Sequence, residues 1–172
     1  WDYFSKTGYP SSKDENWKFS NPSPWLLENV AQVSEKVDIK REEFREHIIP
    51  NTIPILILND TISILNTLPD GMQIMDMAQE EDENLMDGAM GSVADYHGFS
   101  FAAENTALFQ NGIVIHIQEN KVIEKPLQLI HLIKSTADSR IYPRIFVCVG
   151  ENSELEILQT ETGGDDPQHF VN

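Results

Sequence analysis

Four short segments rich in isoleucine, leucine and valine dominate the second half of this 172-residue chain. They cover residues 113–117, 127–133, 145–149 and 155–158, and turn-forming residues lie between them. Segments of this length and composition predict β-strands, and their spacing is typical of a sandwich, a barrel or a parallel β-helix. Periodicity alone leaves these three architectures open. We expect no internal repeat of fixed length.

Two β-rich runs in the first half of the chain predict a hairpin. They cover residues 55–58 and 61–65 and flank Asn59 and Asp60, a pair that favours a two-residue turn. Residues 72–77 predict one further strand. A small sheet is therefore expected in this half.

Three helices are expected before residue 110. The first starts with Ser23 as its cap and runs to about residue 33, and the second spans residues 38–45. The third begins near Asp95 and ends before Gly112, because glycine accepts the left-handed conformation of helix ends. The predicted buried face of this third helix consists of Phe99, Ala102, Ala103, Thr106 and Phe109.

Together these segments predict an α+β fold in two parts. A mixed domain of helices and a small sheet covers residues 1–110, and a strand-rich domain covers residues 111–172. The chain begins with Trp1 rather than methionine, and we expect it to be part of a longer protein.

The charge of the chain argues against two classes of partner. There are 28 Asp and Glu residues against 12 Lys and Arg, which gives a formal net charge of −16 at pH 7. Twelve of the acids lie in residues 46–120, a block without any Lys or Arg. Such a surface repels nucleic-acid phosphates and anionic lipid headgroups, so neither nucleic acid nor membrane is expected as a partner. The densest acidic run, residues 79–84, predicts a solvated loop or helix start rather than a calcium loop.

Other features of the sequence favour the cytoplasm. No apolar run approaches the ~20 residues of a membrane span, and no secretory signal is recognisable. Cys148 is the single cysteine, which excludes an intrachain disulfide and a multi-cysteine metal site. A reducing compartment is consistent with this content.

Enzyme motifs are absent from the sequence. It contains no phosphate-binding P-loop, no dinucleotide fingerprint, no nucleophile elbow and no zinc-binding His-Glu-x-x-His helix. Asp95, His97 and Ser100 form a catalytic triad by residue type, but residues so close in sequence rarely converge as one. We therefore expect a protein that is not an enzyme, and we assign no catalytic, cofactor-binding or metal-binding residue.

Several residues could bind a metal ion, but each of them could instead have a structural role. His116 and His131 lie in predicted strands and could meet as ligands, although no third ligand is evident. Cys148 lies between two valines and is interpreted as a small buried side chain. All five methionines fall between Met72 and Met90, where we favour core packing over metal binding by thioethers.

Two alternative functions remain open from the residues alone. A β-helical or sandwich carbohydrate-processing enzyme would use acids among Glu104, Glu119 and Glu124, with two carboxylates about 5 to 10 Å apart in a cleft. A small metal-binding module would use His116 and His131.

Residues 8–20 carry the sequence GYPSSKDENWKFS. This segment resembles the signature near the start of SufD proteins, which belong to the SufB/SufD family. Further segments resemble parts of that family in the same order along the chain: a hairpin, a helix followed by a strand, a strand that begins with Lys-Pro, and a strand between Pro-Arg and Gly-Glu. They cover residues 55–65, 99–117, 125–129 and 143–152.

The resemblance implies a mixed N-terminal domain that leads into a right-handed parallel β-helix, truncated here after its first turns. It also implies a non-catalytic scaffold in the SUF system of iron–sulfur cluster assembly. In the intact protein the partners would be a SufB-like paralogue and a SufC-like ATPase. The residues that contact the ATPase and the cluster would lie outside this chain, so the chain itself would bind no cofactor. An open β-helix end exposes an unpaired strand edge, so self-association through that end is expected.

Overall fold

The computed structural model describes residues 1–23, 26, 31–32, 44–59, 61–77, 92–134, 139–163 and 169–170. Two α-helices lie in these ranges, α1 (Asp2–Thr7) and α2 (Ser100–Leu108), and a 3-10 turn covers Glu15–Trp17. The strands in the same ranges are β1 (Ala31–Gln32), β2 (Ile53–Leu58), β3 (Thr61–Ile64), β4 (Met72–Asp76), β5 (Ile113–Ile117), β6 (Leu127–Ile133), β7 (Ser139–Ile141), β8 (Ile145–Val149), β9 (Ile157–Gly163) and β10 (His169–Phe170).

These strands form three small sheets. Their strand orders are β3-β2-β6-β9, β4-β5-β8 and β1-β7-β10. The hairpin pair β2–β3 and the pair β4–β5 are antiparallel, and all other pairs are parallel. The fold is therefore α+β with few helices and mixed sheets.

Several parallel pairs have similar but unequal offsets along the chain, which does not contradict the expectation of no repeat of fixed length. Ile113 pairs with Ile145 and Val122 with Glu154, both 32 residues apart, whereas Leu127 pairs with Ile157, 30 residues apart. Residues 113–120 read IVIHIQEN, and their partners 145–152 read IFVCVGEN. These segments thus lie side by side in parallel, at offsets that differ by two residues.

The turns that follow β5 and β8 stack in the same way. Asn120 and Asn152 both adopt positive φ angles, 58° and 56°, a conformation that asparagine tolerates better than most residues. The Asn152 side-chain amide donates to Asn120 Oδ1 at 3.2 Å. The repeated Glu-Asn pair therefore marks equivalent turns after β5 and β8.

Alternate residues of the facing sheets form the main core. Ile55, Ile115 and Leu129 are almost fully buried there. They belong to a cluster that includes residues of the sheet β3-β2-β6-β9 and of the sheet β4-β5-β8. The other face of the β2–β6 pair is also covered, because Leu56 and Ile130 pack in a second cluster. Burial on both faces explains why β2 and β6 are nearly continuous apolar runs instead of alternating ones.

The predicted strands match the structure closely. The hairpin is confirmed, β5, β6 and β8 have the predicted bounds, and β4 and β9 differ by a few residues. Most of the predicted helices near residues 23–33 and 38–45 lies outside the described residues, as does the acidic run 79–84. Within the first of these predicted helices, residues 31–32 form the strand β1 instead, because they pair with β7. The proposed domain boundary at residue 110 stays a prediction, although strands from either side of it share all three described sheets.

The third predicted helix needs correction. It begins at Ser100 instead of Asp95, and Phe99 is 58% exposed. Its buried residues are Ala103, Glu104 and Asn105, so two polar side chains replace most of the predicted apolar face. The physical reason is the polar cluster that this helix meets, described below.

Gly150 permits the close stacking of two turns. A Cβ atom at this position would lie 2.5 Å from the Glu119 backbone nitrogen, in a place where no side chain can move aside. We expect Gly150→Ala to lower the free energy of unfolding by about 1–3 kcal/mol, as overpacked sites do. Urea denaturation would measure this loss, and the neighbouring surface change Glu151→Ala should leave stability within the error. Equal stability of the two variants would contradict the steric argument.

Candidate functional site

A buried carboxylate organises the most polar site in the described part of the chain. Glu104 on α2 has no exposed surface. Its Oε1 accepts hydrogen bonds from the Tyr9 hydroxyl at 2.6 Å, the Tyr142 hydroxyl at 2.8 Å and Arg140 Nη1 at 2.5 Å. We call these four residues the Glu104 cluster. An ionised carboxylate without water needs such donors, because burial of an unpaired charge is costly.

The members of the Glu104 cluster also bind one another. Arg140 donates to the Tyr9 hydroxyl, and its guanidinium carbon lies 5.3 Å from the centre of the Tyr9 ring. The second oxygen of Glu104, Oε2, is buried without a hydrogen-bond partner among the described residues. One oxygen therefore carries all three contacts of the carboxylate.

The environment of the cluster raises the pKa of both tyrosine hydroxyls, Tyr9 and Tyr142, and keeps them protonated. Burial raises the pKa of Tyr142, and the hydrogen bond to Glu104 raises it further. Burial and the Glu104 hydrogen bond raise the pKa of Tyr9 in the same way. Burial opposes the charge on Arg140, but its tyrosine partners and the Glu104 charge together raise its pKa above the ordinary value. Both tyrosines thus act as neutral donors and Arg140 as a cation.

A second set of polar contacts extends the cluster along α2. The Asn105 side chain donates to the Pro143 carbonyl oxygen at 3.0 Å, and its Oδ1 accepts from Arg144 Nη2 at 2.9 Å. Arg144 also donates to Thr106 Oγ1 at 2.8 Å and lies over the Phe109 ring, 5.0 Å from its centre. These contacts tie α2 to the connection between β7 and β8.

Local structure places Tyr9 in the cluster. Gly8 ends α1 with a φ of 65°, and its amide donates to the Phe4 carbonyl oxygen at 2.7 Å. This left-handed turn favours glycine and directs the chain toward α2. The Tyr9 ring then packs against Phe4 and Phe101, with ring centres 5.2 and 6.1 Å away.

Three separate segments therefore meet at one buried point: residues 8–20, α2, and the strand β7 with its following loop. The geometry suits a rigid connection between them. Oε1 of Glu104 already accepts three hydrogen bonds, and Glu104 has no exposed surface. Glu119 and Glu124 are exposed, so Glu104 cannot share an open cleft with either of them.

The structure brings Asp95 and His97 together but not Ser100. His97 Nδ1 lies 2.9 Å from Asp95 Oδ1, and the His97 amide donates to the same oxygen at 2.8 Å. Within the described ranges, no hydrogen bond joins Ser100 to this pair. Both side chains of the pair are more than half exposed. This is a surface turn, not a triad.

The two strand histidines lie in different sheets. His116 is on β5 with Nδ1 3.4 Å from Gln73 Oε1, whereas His131 on β6 is buried with Nε2 2.7 Å from the Asn59 carbonyl oxygen. Cys148 pairs in register with His116, and burial raises the pKa of its thiol. Among the described residues there is no group of three or more His, Cys, Asp and Glu side chains suited to a metal ion.

The methionines are only partly described. Met72 is 5% exposed and belongs to the main core cluster, as a packing role predicts. Met75 and Met77 are half-buried. Met86 and Met90 lie outside the described residues.

Burial of His131 predicts a loss of stability in acid. Burial lowers the pKa of this imidazole below its ordinary value of 6.5, because the charged form loses water. The unfolded chain therefore binds a proton that the folded chain resists, so the stabilising effect is complete above pH 6.5 and falls as the pH drops through the lowered value. We expect the urea midpoint to decrease from pH 7.5 to 5.5 by less in His131→Gln than in the wild type.

The control for this pH experiment is His97→Gln, since the His97 ring is 62% exposed. This variant should show the full wild-type decrease. An identical decrease in His131→Gln would contradict the assignment, because the acid sensitivity would then come from other groups.

Sequence reasoning assigned no role to Arg140 and proposed Glu104 only as a candidate acid. The local sequence contains no signal, because Glu104 is followed by the polar residues Asn105 and Thr106 and therefore does not stand out in its helix. The separation of 36 residues between the two charges hid the pair.

No helix in the described ranges is long and apolar enough to cross a membrane. No curated protein matches the sequence. A family model does match it: the model of the SufBD protein N-terminal region aligns with residues 1–129. The match includes residues 8–20 and all of α2, which meet at the Glu104 cluster, and it indicates a part in SUF iron–sulfur cluster assembly with partner proteins. The chain belongs to the SufB/SufD family, of which it carries the N-terminal region.

Proposed function

We propose that this chain is the N-terminal part of a SufD-type scaffold for iron–sulfur cluster assembly. The stacking of parallel strands at offsets of 30 and 32 residues carries this proposal. A solenoid of such coils presents a long, rigid surface for other proteins. The family match supports the SUF system, and the GYPSSKDENWKFS segment favours the SufD branch.

The stacked coils are the first turns of a right-handed parallel β-helix in this proposal. Support comes from three parallel ladders, β1-β7-β10, β2-β6-β9 and β5-β8, which run through successive coils. The bridge between Val122 and Glu154 continues the same stacking between the ladders. The family resemblance provides the handedness.

The chain acts without catalysis of its own and without a bound cofactor in this proposal. Among the residues that the structure describes, the one buried carboxylate is that of Glu104, and it accepts hydrogen bonds from three donors. The partners would be a SufB-like paralogue and a SufC-like ATPase, which supplies ATP hydrolysis. The iron–sulfur cluster is then cargo of the complex.

Affinity capture of the intact protein from its own cells tests the scaffold role. We expect an ABC-type ATPase and a β-helical paralogue to be recovered in amounts comparable to the tagged protein. Ile115→Asp, which places a charge in the core between the sheets, should abolish this recovery, while the surface change Glu119→Gln should preserve it. Recovery of neither partner with the wild-type protein would refute the proposal.

Self-association of the chain stays a prediction. The outer strand β8 carries Val147 and Val149 on the row that faces the core, yet their side chains are 39% and 45% exposed. We expect light scattering to show oligomers that Val147→Lys disrupts and that Val93→Lys, an exposed position elsewhere, does not. A wild-type monomer at high concentration would contradict this expectation.

A further inference from the structure

A cavity lies between α1, Tyr96 and one side of α2. Its volume is about 610 Å³, and it is open to solvent. Four aromatic residues line it, together with one carboxylate and three small residues of α2. The aromatic residues are Trp1, Tyr3, Phe4 and Tyr96, and the carboxylate belongs to Asp2.

The aromatic side chains of this cavity support one another. Tyr3 and Tyr96 meet edge to face with ring centres 5.6 Å apart, and Trp1 meets Phe4 in the same way at 5.9 Å. The Tyr3 hydroxyl accepts the Gly98 amide at 2.8 Å, which fixes the segment that carries Tyr96. Ala103 and Ala107 have small side chains, so they leave space in the cavity beside α2. The rings are therefore held in place around the space.

Among the side chains that line the cavity, the charged one is a carboxylate. Asp2 is exposed and has neither an ion pair nor a side-chain hydrogen bond within the part of the chain that the structure describes. No Lys or Arg side chain lines the cavity, and the block 46–120, which supplies Tyr96 and α2, contains none. Lys6, in the last turn of α1, is the nearest base along the chain.

We propose that this cavity binds the cationic side chain of an arginine or lysine on a basic segment of a partner protein. Aromatic faces carry the negative part of the ring quadrupole and attract cations, and Asp2 adds a full negative charge. The same groups repel carboxylates and phosphates. A guanidinium group also stacks on aromatic rings, so arginine fits this cavity best.

A titration with matched peptides tests the cation requirement. The probe is acetyl-Gly-Arg-Gly-amide, and the control replaces arginine by citrulline, which has nearly the same shape without the charge. Amide resonances in ¹H–¹⁵N spectra of the chain should shift in a saturable way at residues 2–4, 96 and 103–107 with the arginine peptide. The citrulline peptide should cause no saturable shift. Equal shifts with both peptides, or shifts spread over acids elsewhere on the surface, would overturn the proposal.

Two variants and two controls locate the site. Asp2→Asn and Tyr96→Leu should each weaken binding of the arginine peptide by about two- to fivefold, as loss of an exposed cation contact does. Glu151→Gln and Phe19→Leu remove an exposed acid and an exposed aromatic residue elsewhere, and both should bind like the wild type. Asp2 is exposed, so its amide variant keeps the fold. Unchanged affinity in Asp2→Asn and Tyr96→Leu would overturn the proposal.

Discussion

Replacement of Arg140 by methionine should lower the free energy of unfolding by about 3–5 kcal/mol, because it leaves the Glu104 carboxylate buried without its cation. Glu104 has no exposed surface, and Arg140 is 7% exposed. Methionine keeps most of the volume of the arginine stem, so the loss reports the charge and not a large cavity. Urea denaturation at pH 7 measures it.

The double variant Glu104→Gln with Arg140→Met removes both charges, so it can be compared with the two variants that each remove one charge. Glu104→Gln alone should also destabilise the chain, since Arg140 then lacks its anion. The double variant should lose clearly less than the sum of the two single losses, because neither charge remains unpaired. A control is Asp70→Asn, which breaks the surface ion pair with Lys121 and should change stability within the error. Additive losses in the double variant would contradict direct coupling of Glu104 and Arg140.

The strands could be predicted from the sequence because most of their side chains are apolar and lie against other apolar side chains. β2 and β6 are covered on both faces, so an unbroken apolar run is enough to identify them. β5 and its partner β8 have similar Ile and Val content and the same length. In β2, β5 and β6, local composition and tertiary burial agree, whereas β8 was predicted from composition although its residues are not fully buried.

The buried face of α2 could not be predicted in the same way. A pattern of apolar residues assumes that the buried side of a helix is apolar, but α2 buries Glu104 and Asn105. Their donors come from Tyr9, Arg140 and Arg144, which are distant in sequence. Only the folded chain brings these charges together, so no local signal could place Glu104 inside.

The similar offsets of the parallel pairs could not be predicted from the sequence, because the paired segments have diverged and their offsets differ in length. Only a few positions, such as the Glu-Asn pairs at residues 119–120 and 151–152, are identical between residues 113–120 and 145–152. The insertion of two residues near Lys125 and Pro126 shifts the offset from 32 to 30. The resemblance to SufD proteins predicted parallel stacking all the same, because it depends on several segments that match in the same order along the chain and not on the spacing between them.

The side chain of Gln128 provides a second test of how buried polar groups hold this fold. Gln128 lies on β6 without exposed surface. Its Nε2 donates to the His47 carbonyl oxygen at 2.7 Å, and its Oε1 accepts from the Ile49 amide at 2.8 Å. A second, longer bond joins Nε2 to Thr160 Oγ1 on β9 at 3.3 Å. One amide thus connects the segment before β2 to the neighbouring strands β6 and β9.

Gln128→Leu should lower the free energy of unfolding by about 2–4 kcal/mol. Leucine fills a similar volume but leaves the His47 carbonyl and the Ile49 amide without their partner, and an unsatisfied buried polar group costs about 1–3 kcal/mol. Thr160→Val is the matched control, since it removes only the longest of these bonds and should cost less than about 1 kcal/mol. Urea denaturation measures both variants, and hydrogen exchange at the Ile49 amide should accelerate only in Gln128→Leu. A loss in Gln128→Leu no larger than in Thr160→Val would mean that the backbone before β2 satisfies its hydrogen bonds without Gln128, and that this side chain does not join that backbone to the neighbouring strands.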